Sequence, residues 1–434
     1  MILSFKTLGC KANQFETGAL QMLLVERGHR IAQHGETADV VVVNTCTVTG
    51  EASRKSRQAI RRARAEHLGC MVAVCGCLSQ LSPEEVEALG ADLIGGTGGR
   101  AAFAEDLERI VAGESPQSAI DSACDRSEFE TLPAGGLEGR IRALVKVQDG
   151  CDNFCTYCII PYARGPVRSM PLDAAVAQTQ DLAEAGYKEL VITGIEISSY
   201  GREWEPGPDV IDLIESICTA VPDLRVRLGS LEPRTVTADF CDRLSIYKNL
   251  CPHFHLSLQS GSNETLRRMG RHYDTGRYLE SVERLRAVFP NCAITTDLIA
   301  GFPGESAAEF DRSLGFLREC AFAAVHVFPY SARTGTQAAA YPEQVPKAER
   351  ARRAKLAGEL AGELRRAWLM AQVGQTMAVL FETEINGRSQ GNTPNYCTVS
   401  VPGTGLGNQV HSVQMQNISG DVLIGDLQVG ESAL

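Results

Sequence analysis

Cys151-Asp-Asn-Phe-Cys155-Thr-Tyr-Cys158 follows the apolar run Ala143-Leu-Val-Lys-Val147 and the polar turn Gln148-Asp-Gly150. It places three thiols at C-x3-C-x2-C spacing in one short loop. Four thiolates would close a metal site, whereas three leave a corner free. A cubane iron-sulfur cluster held by three cysteines keeps one iron open to a reactant. A structural zinc site competes with this reading, but zinc wants a fourth ligand and no His or further Cys follows in the loop. A chance grouping in a cysteine-rich chain is the third possibility.

Working outward, the run before this loop is the first of six candidate strands separated by helical stretches. They are Ala143 to Val147, Glu189 to Thr193, Arg225 to Leu228, His253 to Leu258, Ala293 to Ile299 and Ala323 to Phe328. Helical periodicity fills Pro171 to Ala185, Val210 to Ala220, Thr275 to Val288 and Ser306 to Glu319. Six such units predict a partial (β/α)6 barrel whose functional loops follow the strands. The small and polar residues lie there: Thr193-Gly-Ile-Glu196, Gly229-Ser-Leu-Glu-Pro233, Gln259-Ser-Gly261 and Ala300-Gly-Phe-Pro-Gly304. Glycines at such positions let backbone atoms approach a bound cofactor.

Upstream, residues 1–113 alternate apolar runs with amphipathic stretches, the pattern of a parallel α/β domain. Three runs end in cysteine-bearing turns, Leu8-Gly9-Cys10, Asn44-Thr45-Cys46 and Cys75-Gly76-Cys77. Ligands of an open parallel sheet sit beyond the carboxyl ends of its strands, so these thiols converge into a second candidate triad, Cys10, Cys46 and Cys77. Cys70 and Cys75 compete for the third place; Cys77 is preferred because Gly76 can turn the backbone toward a ligand. Each of these cysteines also suits a small buried apolar position.

Between the second and third strands, Glu51 to Glu66 reads as a helix carrying Arg54, Lys55, Arg57, Arg61, Arg62 and Arg64. One sign clustered in an otherwise acidic chain suggests contact with a phosphate backbone, although most such runs are merely solvated faces. Residues 114–139 read as a polar linker, with an unpartnered Cys124, and residues 140–368 take in the barrel and a basic helix, Lys347 to Trp368. From residue 369 to 434 the period changes to short alternating runs broken by Gly, Asn and Pro, which predicts a small all-β barrel of about five strands.

The length, 434 residues, is enough for roughly three domains of about 150 residues. Fifteen cysteines without a secretory leader argue for metal or cluster chemistry in a reducing compartment and against a disulfide framework. No apolar run of about 18 residues is present, so a cytoplasmic chain without a membrane partner is expected. The net charge of -11 does not favour nucleic acid, but phosphate binding depends on local patches.

The loop Cys151 to Cys158, with an aromatic residue before its third cysteine, resembles the radical S-adenosylmethionine signature. With Thr7-Leu-Gly-Cys10, Asn44-Thr-Cys46 and Gly76-Cys77-Leu-Ser-Gln80 it looks like the methylthiotransferase family over nearly the whole chain. The family's plan is an N-terminal cluster domain, a radical SAM partial barrel and a C-terminal TRAM barrel. Several strings look most like its MtaB type, which acts on N6-threonylcarbamoyladenosine next to the tRNA anticodon. They are Arg54-Lys-Ser-Arg57, Asp149-Gly-Cys-Asp-Asn-Phe-Cys155, Ile159-Ile-Pro-Tyr-Ala-Arg-Gly165, His326-Val-Phe-Pro-Tyr-Ser331 and Thr393-Pro-Asn-Tyr396. Glu196 stands where many relatives have His, and Ser79 where Ala is usual.

The resemblance implies two 4Fe-4S clusters, on Cys151, Cys155 and Cys158 and on Cys10, Cys46 and Cys77. It implies that S-adenosylmethionine binds the open iron of the first and is cleaved by one electron to a 5′-deoxyadenosyl radical. The second cluster would carry the sulfur that replaces the C2 hydrogen of the adenine as a methylthio group. Thr193, Gly194, Ser230, Glu232, Ser257 and Gln259 are the expected cofactor contacts. The implied partners are the tRNA anticodon loop, S-adenosylmethionine, an electron donor and a sulfur source. Isopentenyladenosine in tRNA and a ribosomal-protein aspartate are the alternative substrates, and a non-catalytic, zinc-containing RNA-binding protein is the alternative class.

Overall fold

The computed structural model describes residues 1–66, 69–135 and 141–428. Five parallel strands open the chain, in the order Arg30–Ile31, Ile2–Thr7, Val40–Thr45, Met71–Gly76 and Leu93–Ile94. The run Val40-Val-Val-Val43 has no polar face because both sides of the sheet are covered. Val40 and Val42 pack with Leu20, Leu24, Phe103 and Leu107 beneath helices Lys11–Glu26 and Arg100–Val111. Val41 and Val43 pack with Ile60, Val72, Val74 and Val86 on the other side, against helix Gly50–Glu66.

The second body carries the six expected strands, all in parallel pairing. Arg225–Leu228, Glu189–Thr193 and Arg142–Lys146 form one sheet; Ser230–Leu231, His253–Leu256, Ala293–Ala300 and Ala324–Pro329 form the next. A parallel bridge between Val226 and Leu250 carries the curve from one sheet to the other. Among the described residues the first and last strands do not pair, which leaves a partial barrel. Its interior side chains and surrounding helices make one large core that includes Leu190, Ile192, Val226, Phe254, Leu256, Ile294 and Tyr278.

The stretch expected to be a linker is bonded to its neighbours as far as it is described; residues 136–139 lie outside the described residues. Asp106 accepts from the backbone N–H groups of Gln117 and Ser118, Arg126 donates to Thr97 Oγ1 and Gln80 Oε1, and Glu130 accepts from the N–H of Arg100. Cys124 is exposed, and all fifteen cysteines are free.

Helix Lys347–Gln372 packs along strand Ala324–Pro329 and ends inside the third body. There Thr376–Ile385, Arg388–Asn392, Thr398–Pro402, Val422–Leu427 and Val410–Ser419 close into a five-stranded barrel around Val379, Phe381, Val399, Val413 and Leu423, as a TRAM domain requires. It docks on the beginnings of the central strands: Arg227 donates to Glu189, to Pro394 O and to Thr393 O, with its guanidinium 4.6 Å from the Tyr396 ring centre. Among the described residues no helix is long and apolar enough to cross a membrane.

Candidate active site

The central loop is shaped by one glycine. Gly150 has φ +75°, and a Cβ there would lie 1.7 Å from Pro166 O, so no other residue fits the turn that presents Cys151. The Cys151 N–H donates to Gly165 O, the Cys158 N–H to Cys155 O, and Thr156 is tied through its N–H to Met269 O. Burial pushes the Cys151 and Cys158 thiols up to about 12, with Cys155 adding to both. Arg271, which the sequence reading did not single out, donates through Nη1 to Cys155 Sγ at 3.1 Å. Its guanidinium is held 4.8 Å from the Tyr273 ring centre.

The N-terminal triad is drawn from three strand ends. Gly9 (φ +100°) and Gly76 (φ +104°) precede Cys10 and Cys77, and a Cβ on Gly9 would come within 2.7 Å of Cys46 Cβ. Cys46 is fixed by Ser56, whose Oγ accepts from its N–H and donates to its carbonyl. Cys77 is pushed up to about 12 by burial; Arg164 opposes this, while Cys46 and Cys10 add to it. Cys75 lies in the core beside Ala73 and Val42 and is influenced by Arg100, Glu16 and Arg164 instead. Cys70 donates its thiol to Ala38 O. The structure therefore brings Cys77, not Cys75 or Cys70, to Cys10 and Cys46.

A buried charge network joins the two triads. Glu16 on the first helix pairs with Arg100, Lys146 and Arg164, and Asp149 pairs with Lys146, Arg164 and Arg168. Burial opposes the charge on Glu16, yet Arg164, Lys146 and Arg100 hold its carboxyl well below the usual range. Across the same seam Arg333 donates to Thr47 Oγ1 (2.6 Å) and Ser53 Oγ (2.9 Å), strapping the last barrel loop to the segment after Cys46.

Cys10, Lys11, Ile160, Thr193, Gly194, Ser230 and Ser257 line one cavity of about 1010 Å³ that runs into the central barrel. Of the other expected cofactor contacts, Glu232 is paired with Arg234 at 2.8 Å, and Gln259 (φ +70°) bonds through its backbone to Asp297 and Ile299. Glu196 caps a short turn by accepting from the Ser198 N–H, and Ser79 donates to Gly76 O and Gly95 O, so both departures from the family pattern have local roles. The basic helix is less bare than its sequence suggests: Arg54 pairs with Glu51, Arg57 with Glu85, Arg62 with Glu66 and Arg64 with Asp92. Lys55 lies 3.8 Å from Glu51, and Arg61 has no ion-pair partner among the described residues.

The thiols fit clusters better than single ions. Four thiolates about 2.3 Å from one zinc lie about 3.8 Å apart. In neither triad do all three sulfurs lie within 4.8 Å of one another. Arg164 Nε, buried and without a hydrogen-bond partner among the described residues, is a spare donor on the residue whose charge acts on Cys46 and Cys77.

Residues 3–96 match the family described as "Uncharacterized protein family UPF0004", and residues 145–317 match the "Radical SAM superfamily". The chain is 36% identical over 409 residues to the threonylcarbamoyladenosine tRNA methylthiotransferase MtaB of Bacillus subtilis, covering 93% of this chain and 90% of that one. This chain belongs to the radical SAM tRNA methylthiotransferases. Another methylthiotransferase relative, the tRNA-2-methylthio-N(6)-dimethylallyladenosine synthase of Pelotomaculum thermopropionicum, is 32% identical, covering 88% of this chain and 89% of that one. In fold, the methylthiotransferase is similar to the radical S-adenosylmethionine methyltransferase TsrM of Kitasatospora setae, with TM-score 0.54, 15% identity and coverage of 78% and 77%. As a radical SAM methylthiotransferase it uses S-adenosylmethionine and 4Fe-4S clusters and acts on tRNA.

Proposed function

We propose that the chain replaces the C2 hydrogen of N6-threonylcarbamoyladenosine at tRNA position 37 by a methylthio group. The observation that carries this is the shared cavity. Cys10 of one triad and Ile160, two residues beyond the last cysteine of the other, open onto the same space as Thr193, Gly194, Ser230 and Ser257. Cys151, Cys155 and Cys158 are not on the wall of this cavity, and Ile160 marks the side on which their loop approaches it, which supports a base held between the two sites. The higher identity to the Bacillus subtilis threonylcarbamoyladenosine enzyme than to the dimethylallyladenosine synthase supports the choice of nucleoside.

In this reading Cys151, Cys155 and Cys158 hold the cluster that binds S-adenosylmethionine, and Cys10, Cys46 and Cys77 hold the second. When bound, the clusters would supply the electron that yields a 5′-deoxyadenosyl radical, which takes the C2 hydrogen, and the sulfur to be transferred, whose methyl group comes from a second S-adenosylmethionine. The chain's own residues do the positioning. Gly150 and Gly9 make room for the cysteines, Arg271 donates to Cys155, and Thr193, Gly194, Ser230 and Ser257 provide polar contacts for the cofactor. Arg54, Lys55, Arg57, Arg61 and Arg62 face the RNA, with Arg61 the least committed. The electron donor and the sulfur source come from outside the chain.

Nucleoside mass spectrometry of tRNA from cells with and without the protein tests this. Loss of 2-methylthio-N6-threonylcarbamoyladenosine is the expected result. Loss of the methylthio-isopentenyl nucleoside would transfer the reading to the dimethylallyl branch, and unchanged tRNA would redirect it to a protein substrate.

A further inference from the structure

We propose that His255, Asp297 and His326 form the subsite that reads the substituent on N6 of the target adenosine; this rests on the threonylcarbamoyladenosine reading. Three adjacent parallel strands bring them together. Register sets Asp297 opposite His326 and His255 opposite Thr295. One nitrogen of each imidazole and a carboxylate oxygen of Asp297 all lie within 4.8 Å of one another. All three residues line the cavity that also holds Cys10, Thr193, Gly194, Ser230 and Ser257.

The polar atoms are arranged to meet something other than each other. His255 Nδ1 is engaged by Thr295 Oγ1 at 3.0 Å, which fixes the ring and leaves Nε2 toward the cavity. His255 Nε2 and Asp297 Oδ2 are 3.4 Å apart. His326 is exposed to the cavity, its ring centre 6.1 Å from that of His255. No role at either triad employs these groups.

The threonylcarbamoyl substituent carries a carboxylate, a hydroxyl and urea N–H groups. Two imidazoles supply N–H donors for the carboxylate, and Asp297 accepts from the hydroxyl or a urea N–H. Ala324, two residues before His326 on the same strand, lines the cavity too and suits the threonine methyl. A dimethylallyl group would offer no polar partner to His255 Nε2, Asp297 or His326. Sites built to hydrogen-bond a substrate group reject analogues lacking it by as much as about 10⁴–10⁵-fold.

The test uses reconstituted holoenzyme and anticodon stem-loops bearing threonylcarbamoyladenosine, its carboxylate methyl ester, or isopentenyladenosine. Wild type is expected to favour the first over each of the others by at least about tenfold in kcat/KM, well short of the full discrimination that hydrogen-bonding sites reach. His326→Phe and Asp297→Asn, checked for wild-type iron content and circular dichroism, should lose most of that preference, while His326→Gln, which keeps an N–H donor, should recover part of it. The ester arm needs no variant and keeps the test decisive if a variant misfolds. Variants that keep the full preference, or an ester used as well as the acid, would overturn the subsite but not the substrate. A wild type inactive on threonylcarbamoyladenosine overturns the substrate reading itself. Preference lost on chelation that leaves both clusters intact would mean that a bound cation makes the contact, which also overturns the direct reading.

Discussion

Arg164 Nη2 lies 2.7 Å from Asn13 Oδ1, and this bond ties the end of the central cysteine loop to the turn that holds Cys10. Asn13 in turn donates to Leu8 O and Thr45 O, the residues flanking the Gly9-Cys10 and Cys46 turns. Arg164 and Glu16 are both fully buried, so removing either partner strands charge in the interior. Breaking such a pair typically costs about 3–5 kcal/mol. Arg164→Met is expected to lower the urea midpoint of the holoprotein and reduce iron retention at the N-terminal site; an unchanged midpoint would contradict the role.

The same network sets a pH dependence. The Glu16 carboxyl is held below its ordinary range in the folded chain, so its contribution is complete above the unfolded value of about 4.3 and is lost as pH falls toward the folded value. The stability gap between wild type and Glu16→Gln should therefore be level near neutrality and shrink below about pH 5. Urea titrations of both proteins at several pH values measure it. A gap that widens with acid would reverse the sign of the argument.

Arg271 places a positive donor on Cys155 Sγ. Such a bond favours the more anionic, reduced cluster, and hydrogen bonds to the sulfurs tune cluster potentials. Arg271→Leu should shift the midpoint of the central cluster to more negative values, by about 59 mV for each tenfold of lost preference. Potentiometry followed by electron paramagnetic resonance reads the shift, in a Cys10→Ala, Cys46→Ala, Cys77→Ala background that isolates the central site.

Gly150→Ala and Gly9→Ala should act on different sites. Each adds a Cβ where φ is positive and atoms already lie within 2.7 Å or less. Iron is expected to fall in each from about eight to about four atoms per chain. The cluster retained by Gly9→Ala should still change its resonance spectrum on adding S-adenosylmethionine, whereas that retained by Gly150→Ala should not.

Arg61→Glu with Arg62→Glu should weaken tRNA binding and flatten its dependence on salt, because phosphate contacts release counterions. Filter binding at two salt concentrations measures both. The matching change at Arg57, already paired with Glu85, should do less.

The apolar runs and their period specified by themselves the two α/β bodies and the terminal β barrel, and the glycines beside the cysteines put both candidate triads forward. These signals are local: a strand covered on both faces reads as Val40-Val-Val-Val43, and a turn that must admit a cysteine reads as Gly-Cys. Arg271, Arg164, Glu16 and the wall of His255, Asp297 and His326 were not legible in the same way. Each becomes meaningful through a partner far along the chain: Cys155 for Arg271, Asn13 for Arg164, and neighbouring strands for the histidines. The alternation His253-Phe-His255 in an otherwise apolar strand and the string His326 to Ser331 hinted at that wall without joining its residues. The cysteine turns of Cys10, Cys46 and Cys77 were visible in the sequence, and parallel pairing put their strand ends at one edge; Cys75 shares the core face of Ala73, whereas Gly76 (φ +104°) ends the strand and turns the chain so that Cys77 opens the next helix.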